Sequence, residues 1–115
     1  MTKTPVSTLT ITEIVKNLGI AAKLGASWYK FDNNLDLGLM RVDNALHYAN
    51  AELSSAIANV TYYCENTPTY TDYIYDIDYQ NAQYTVDRLN YLRRIIVSRK
   101  RGTNLQSMVF SAFNS

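Results

Sequence analysis

The sequence predicts an all-α fold, a small helical bundle of three main helices plus a short C-terminal helix. From Leu39 to Tyr63, apolar or aromatic residues recur at alternating spacings of three and four, which is typical of one seam of an α-helix. A second helical pattern follows Ala82, and short polar stretches separate the segments. These observations together favour long helices joined by short breaks.

Length and composition indicate one small domain. The chain has 115 residues, of which 47% are hydrophobic, and its net charge is +1. We expect residues 1–9 to form a flexible lead-in and residues 10–115 a single helical-bundle domain. The near-neutral charge argues against general attraction to nucleic acid or membrane. No signal peptide or membrane-spanning segment is visible, so we expect a cytoplasmic protein of a cell, or of a virus inside one.

The first predicted helix starts at a capping box formed by Thr10 and Glu13, ahead of an apolar run. Small residues occupy the middle of its apolar face, and Gly19 and Gly25 each weaken a helix by roughly 1 kcal/mol relative to alanine. We therefore expect a bend or a close helix contact there. The run Asp32–Asn34 predicts a helix end and the N-cap of the next helix.

The second helix is predicted over residues 35–64 and is ended by the segment around Pro68. The third is predicted from Thr71 or Asp72 to about Arg101. Alternation of side chains over 73–79 also fits a β-strand, although the pattern after Ala82 favours a helix. The apolar positions assigned to the third helix are Ile74, Ile77, Tyr84, Leu89, Leu92, Ile95 and Ile96.

Charges on the third predicted helix are sorted along its length. Acidic residues lie at its start and basic residues toward its end, an order that the helix dipole favours. Gly102 is the expected residue just beyond the helix end. Thr103 and Gln106 then resemble a second capping box, which predicts a short C-terminal helix with an apolar face.

No arrangement typical of catalysis appears. His47 is the only histidine, and the carboxylate that shares its helix face is Asp43, so an ion pair is a sufficient explanation. Cys64 is the only cysteine and lacks a neighbouring cation that would favour a thiolate. Phosphate-binding, metal-binding and redox motifs are missing from the sequence. We expect no enzyme activity, no cofactor and no metal.

Tyrosines cluster around the turn between the second and third helices. Eight of the ten fall within residues 62–91, which is more than one helical core readily accommodates. Tyrosine is common at protein interfaces, so some are predicted to be exposed and to bind a partner; the alternative is that they line the edge of the core. The candidate protein-binding residues are Tyr62, Tyr63, Tyr70, Tyr73, Tyr75 and Tyr79.

A basic stretch lies toward the end of the third helix. Guanidinium groups match phosphate well, so this stretch is a candidate nucleic-acid site; the alternative is that the cations only stabilise the helix C-terminus. The candidate residues are Arg88, Arg93, Arg94, Arg99, Lys100 and Arg101.

Two hypotheses for function remain from the sequence. The first is a non-enzymatic helical interaction module that binds a protein partner or assembles with itself, as a small phage or plasmid inhibitor or accessory protein would. The second is a nucleic-acid or nucleoprotein binder that uses the basic stretch, although no helix-turn-helix, RNA-binding or zinc motif accompanies it.

Overall fold

The computed structural model describes residues 8–66 and 76–114, with side chains for all of these except 63, 64, 66 and 103–114. The described residues form α-helix and 3₁₀ helix and contain no β-strand, so for them the all-α prediction is confirmed. In chain order the elements are α1 (Ile11–Leu18), α2 (Ala21–Leu24), a 3₁₀ segment (Trp28–Asn33), α3 (Leu35–Asn66) and α4 (Ile77–Asn114).

Helix α1 begins after Thr10, the N-cap that the sequence predicts, although the Glu13 carboxylate binds the Thr10 hydroxyl and not the Thr10 amide of the predicted capping box. The Thr10 hydroxyl accepts a hydrogen bond from the Glu13 amide at 3.1 Å and donates one to the Glu13 carboxylate. The helix ends sooner than predicted, because Gly19 adopts a left-handed conformation with φ 69° and donates to the carbonyls of Val15 and Lys16. The single first helix of the prediction is therefore wrong. Its place is taken by α1, α2 and the 3₁₀ segment, which together we call the N-terminal layer.

The 3₁₀ segment directs two adjacent side chains into different contacts. Phe31 is fully buried against α3 and α4. It lies so close to Gly38 that a Cβ added to this glycine would be 3.2 Å from the Phe31 Cβ and Cγ and 3.4 Å from the Ile96 Cδ1. Gly38 thus provides the close approach that lets the Phe31 ring enter between the long helices.

Asp32, the next residue, caps the start of α1. Its carboxylate accepts hydrogen bonds from the Ile11 amide at 2.6 Å, the Thr12 amide at 3.1 Å and the Thr12 hydroxyl at 2.8 Å. These donors include amides of the first helical turn, which have no partner within the helix itself. Asp32 therefore closes the N-terminal layer into a loop whose two ends are held together.

The two long helices run antiparallel. Asp36, at the start of α3, pairs with Lys100 of α4, and Asp43 accepts a hydrogen bond from the Arg93 Nε at 2.7 Å. The Asn34 side chain caps α3 by accepting from the Leu37 amide at 3.1 Å. The predicted second helix is confirmed, and α3 extends to Asn66. The described positions of its predicted seam are buried or half-buried: Leu39, Val42, Leu46, Ala49, Leu53, Ala56 and Val60.

Helix α4 differs from the prediction at both ends. It begins at Ile77, where the Asp76 carboxylate accepts from the Tyr79 amide at 2.7 Å. The helix predicted from Thr71 or Asp72 is interrupted at Asp76, which is not helical; the predicted start itself lies within residues 67–75, outside the described residues. Tyr79 is helical, which opposes the strand alternative at that end of the 73–79 tract.

At its other end, α4 continues through Gly102 to Asn114, so the separate C-terminal helix is also a wrong prediction. A glycine in an exposed helix weakens it by only about 1 kcal/mol, which a helix of 38 residues tolerates.

The main core joins the N-terminal layer to part of each long helix. Its buried members are Ile11, Ile14, Val15, Ile20, Leu24, Phe31, Val42, Ala45, Ala49, Val86, Leu89, Leu92 and Ile96. Among the described residues, this core and its flanking side chains include nothing beyond Leu53 in α3 and nothing before Val86 in α4. We call residues 35–53 and 86–101 the proximal half of the α3–α4 hairpin, and residues 54–66 and 77–85 its distal half.

We predict that Asp32→Ala lowers the free energy of unfolding by about 1–3 kcal/mol, because three donors at the start of α1 lose their acceptor. Asn33→Ala is the matched control, since this exposed neighbour should change stability by less than about 0.5 kcal/mol. Urea denaturation followed by circular dichroism measures both variants. Equal stability of the two would contradict the role given to Asp32.

Candidate functional site

The distal half of the hairpin exposes large apolar and aromatic side chains. Ile57 and Tyr62 of α3 are 39% and 61% exposed, and Ile77 and Tyr84 of α4 are 71% and 60% exposed. The distal residues that are buried are mostly small: Ala56, Val60 and Ala82. A helix pair with so small a seam buries little apolar surface, so much of the larger side chains remains in contact with solvent.

The predicted tyrosine site is described only in part. Tyr62 is exposed, as the interface hypothesis requires, whereas Tyr79 is half-buried. The side chain of Tyr63, and residues Tyr70, Tyr73 and Tyr75 as a whole, lie outside the described residues.

The sequence pattern predicts that Ile77 and Tyr84 belong to the apolar face of the third helix. This prediction is wrong. Ile77 and Tyr84 are exposed on α4. At 100° per residue, both lie well over 90° from Leu89, a fully buried residue of the same helix. This angular separation is present in the sequence and identifies the two residues as a second, outward stripe.

The candidate nucleic-acid residues are not equivalent in the structure. The Arg93 guanidinium pairs with Asp43 at 2.7 Å, and Lys100 pairs with Asp36. The Arg88 guanidinium lies 5.3 Å from the centre of the Tyr84 ring, in a cation–π contact. Arg99 is half-buried. Much of this basic stretch therefore contacts other side chains of the same molecule.

The remaining cations of the stretch, Arg94 and Arg101, are exposed. Together with Arg93, Val97 and Ser98 they line an open depression on the surface of α4. The alternative explanation from the sequence, stabilisation of a helix C-terminus, does not hold, because α4 continues to Asn114 and its last turn contains no basic residue.

A second depression lies where α2 meets the hairpin. It has a volume of about 220 Å³ and is lined by Ala22, Lys23, Ala45, Tyr48, Ala49, Glu52 and Thr85. Its floor is formed by small residues, and the exposed Tyr48 ring stands beside it. This depression marks the boundary between the part of the hairpin that the N-terminal layer covers and the distal half.

The residues singled out for chemistry have ordinary surroundings. The His47 ring is exposed and meets the Tyr48 ring edge-on at 5.5 Å between centroids, while Asp43 pairs with Arg93. The side chain of Cys64 lies outside the described residues. Within the described part of the chain, no group of three or more His, Cys, Asp or Glu side chains is placed to hold a metal ion.

Comparison of this chain with protein-family models, curated proteins and solved structures finds no significant match. None of the helices in the described part of the chain combines the length and apolarity that a bilayer span requires.

Proposed function

We propose that this protein is a non-enzymatic helical interaction module, which binds a protein partner or a second copy of itself through the distal half of the α3–α4 hairpin. We further propose that it acts in the cytoplasm, as a small inhibitor or accessory protein of phage or plasmid type would.

The observation that carries the proposal is the exposure of four large side chains on the distal half of the hairpin: Ile57, Tyr62, Ile77 and Tyr84. Amphipathic helices gain most of their stability by burying an apolar face against a third element or a partner. The N-terminal layer provides that cover for the proximal half. A partner on the distal half would supply the equivalent burial there.

The residue types support the same proposal. Tyrosine brings a large contact area with few rotatable bonds, and it is enriched among residues that dominate binding energy. The exposed distal side chains are two isoleucines and two tyrosines: Ile57 and Tyr62 are five residues apart on α3, and Ile77 and Tyr84 are seven residues apart on α4.

Site-specific photo-cross-linking tests this proposal. A photoreactive phenylalanine at Tyr62 should yield a discrete cross-linked protein species in cells that produce the chain, because the side chain would lie inside the interface. The matched control is Tyr29, which is exposed to a similar extent, 57% against 61%, but lies in the N-terminal layer. Equal product from both positions, or no discrete product from Tyr62, would contradict the proposal.

A second candidate, binding of nucleic acid, is favoured by one observation: Arg93, Arg94 and Arg101 line the same open depression. Guanidinium groups grouped in this way suit contacts with successive phosphates. The ion pair between Arg93 and Asp43 counts against it, since a phosphate would have to compete with that carboxylate.

If this second candidate is correct, Arg94→Glu/Arg101→Glu should abolish retention on immobilised single-stranded DNA at low salt. Lys16→Glu/Lys23→Glu is the matched control, because it makes the same change in net charge within the N-terminal layer. Loss of each phosphate contact should lower the slope of log K against log salt by about one unit. Equal retention of the two double variants would contradict a site on α4.

A further inference from the structure

The outward stripe of α4 extends beyond the distal half. Ile77, Tyr84 and Tyr91 recur every seven residues and are 71%, 60% and 37% exposed. Asp87 lies between Tyr84 and Tyr91, and Arg94 follows Tyr91; these two charged residues are also seven residues apart and both are exposed. A seven-residue recurrence places side chains on nearly the same face of a helix, so these five residues form one continuous surface, which we call the outer face of α4.

The acid and the base on the outer face form no ion pair with each other in the described part of the chain. Seven residues of helix separate them by about 10 Å along the axis, far beyond the reach of an ion pair. The positions three and four residues from Arg94 hold Asn90, Tyr91, Val97 and Ser98, which offer no carboxylate. The Asp87 carboxylate accepts a hydrogen bond from the Gln83 amide at 2.9 Å, which leaves its charge uncompensated.

We propose that the outer face of α4 binds the same face of a second copy of this chain, with the two α4 helices antiparallel. This inference rests on the proposed function, in the form of self-assembly, and places the contact on the outer face of α4, whose centre lies in the proximal half. In an antiparallel pair with its two-fold axis between positions 87 and 94, Asp87 of each copy meets Arg94 of the other. The symmetry makes two such pairs.

Charge determines the direction of the pairing. A parallel arrangement in register places Asp87 of one chain beside Asp87 of the other, and Arg94 beside Arg94. Like charges side by side repel each other. The antiparallel arrangement converts both contacts into attractions. The charges of Asp87 and Arg94 are therefore complementary in only one of these two directions.

Two aromatic residues of the outer face, Tyr84 and Tyr91, fit the same geometry. Tyr91 lies closest to the axis, so the two Tyr91 rings come together at the centre of the contact. Tyr84 of one copy lies across from Val97 and Ser98 of the other, which border the open depression on α4. Aromatic residues at the centre and charged pairs beside them match the usual anatomy of a protein interface.

Charge reversal followed by sedimentation analysis tests this pairing. The wild-type chain should form a dimer as its concentration rises. Asp87→Arg and Arg94→Asp should each weaken the dimer by roughly tenfold or more, because each places like charges opposite one another. The double variant Asp87→Arg/Arg94→Asp restores both attractions and should recover most of the wild-type affinity. Glu52→Arg and Arg41→Asp make the same charge changes on exposed sites of α3 and should leave the dimer unchanged.

A double variant that keeps its helix content but does not regain dimerisation would overturn the antiparallel pairing. A wild-type chain that stays monomeric up to about 1 mM would overturn it as well. If the chain is monomeric but Tyr62 still cross-links to another protein, the proposed function as an interaction module is supported, and only the proposal that the partner is a second copy of the chain is wrong. If both the dimer and the Tyr62 product are missing, the proposed function fails too.

Discussion

The placement of two neighbouring side chains, Phe31 and Asp32, determines how the rest of the molecule is assembled. Phe31 is fully buried between the long helices, where Gly38 leaves room for its ring. Asp32 holds the amides of Ile11 and Thr12 at the start of α1. Because the two residues are consecutive, the contact that anchors the 3₁₀ segment in the core also fixes α1 across the hairpin. The short N-terminal elements, which are too small to be stable alone, thereby become a third layer.

The same constraint limits how far that layer reaches. The loop closed by Asp32 covers the proximal half, where α1, α2 and the 3₁₀ segment share one core with α3 and α4. Helix α3 has 32 residues, about 48 Å of helix, so it extends well beyond any cover that the short elements provide. Its distal half is left with a seam of small residues and with exposed Ile57 and Tyr62. The proposed function follows from this unequal coverage.

Local patterns in the sequence predict what depends on local physics. The α3 seam, the N-cap at Thr10 and the cap at Asn34 all involve residues within a few positions of one another. The bond from Asp32 to α1 could not be predicted in this way, because it joins residues about twenty positions apart. The glycine at 102 was assigned to a helix end on local preference alone, and the continuity of α4 overrode that preference.

In the candidate site, too, some features depend on local sequence and others on contacts between distant residues. Exposure of Tyr62 was predicted from the density of tyrosines, whereas the ion pairs that occupy Arg93 and Lys100 depend on the pairing of α3 with α4. The outward stripe on α4 was available from helical phase, since Ile77 and Tyr84 share a face that excludes Leu89. Residue type alone places these apolar side chains in the core, because it does not distinguish a core face from a binding face.

The central claim is that the N-terminal layer stabilises one half of the hairpin and leaves the other half to a partner. Amide hydrogen exchange of the monomer at low concentration tests it most directly. The claim predicts that amides around Val42 and Leu92 exchange only through global unfolding, while amides around Val60 and Ala82 open at a free energy lower by about 2 kcal/mol or more. Equal opening free energies in both halves would contradict it.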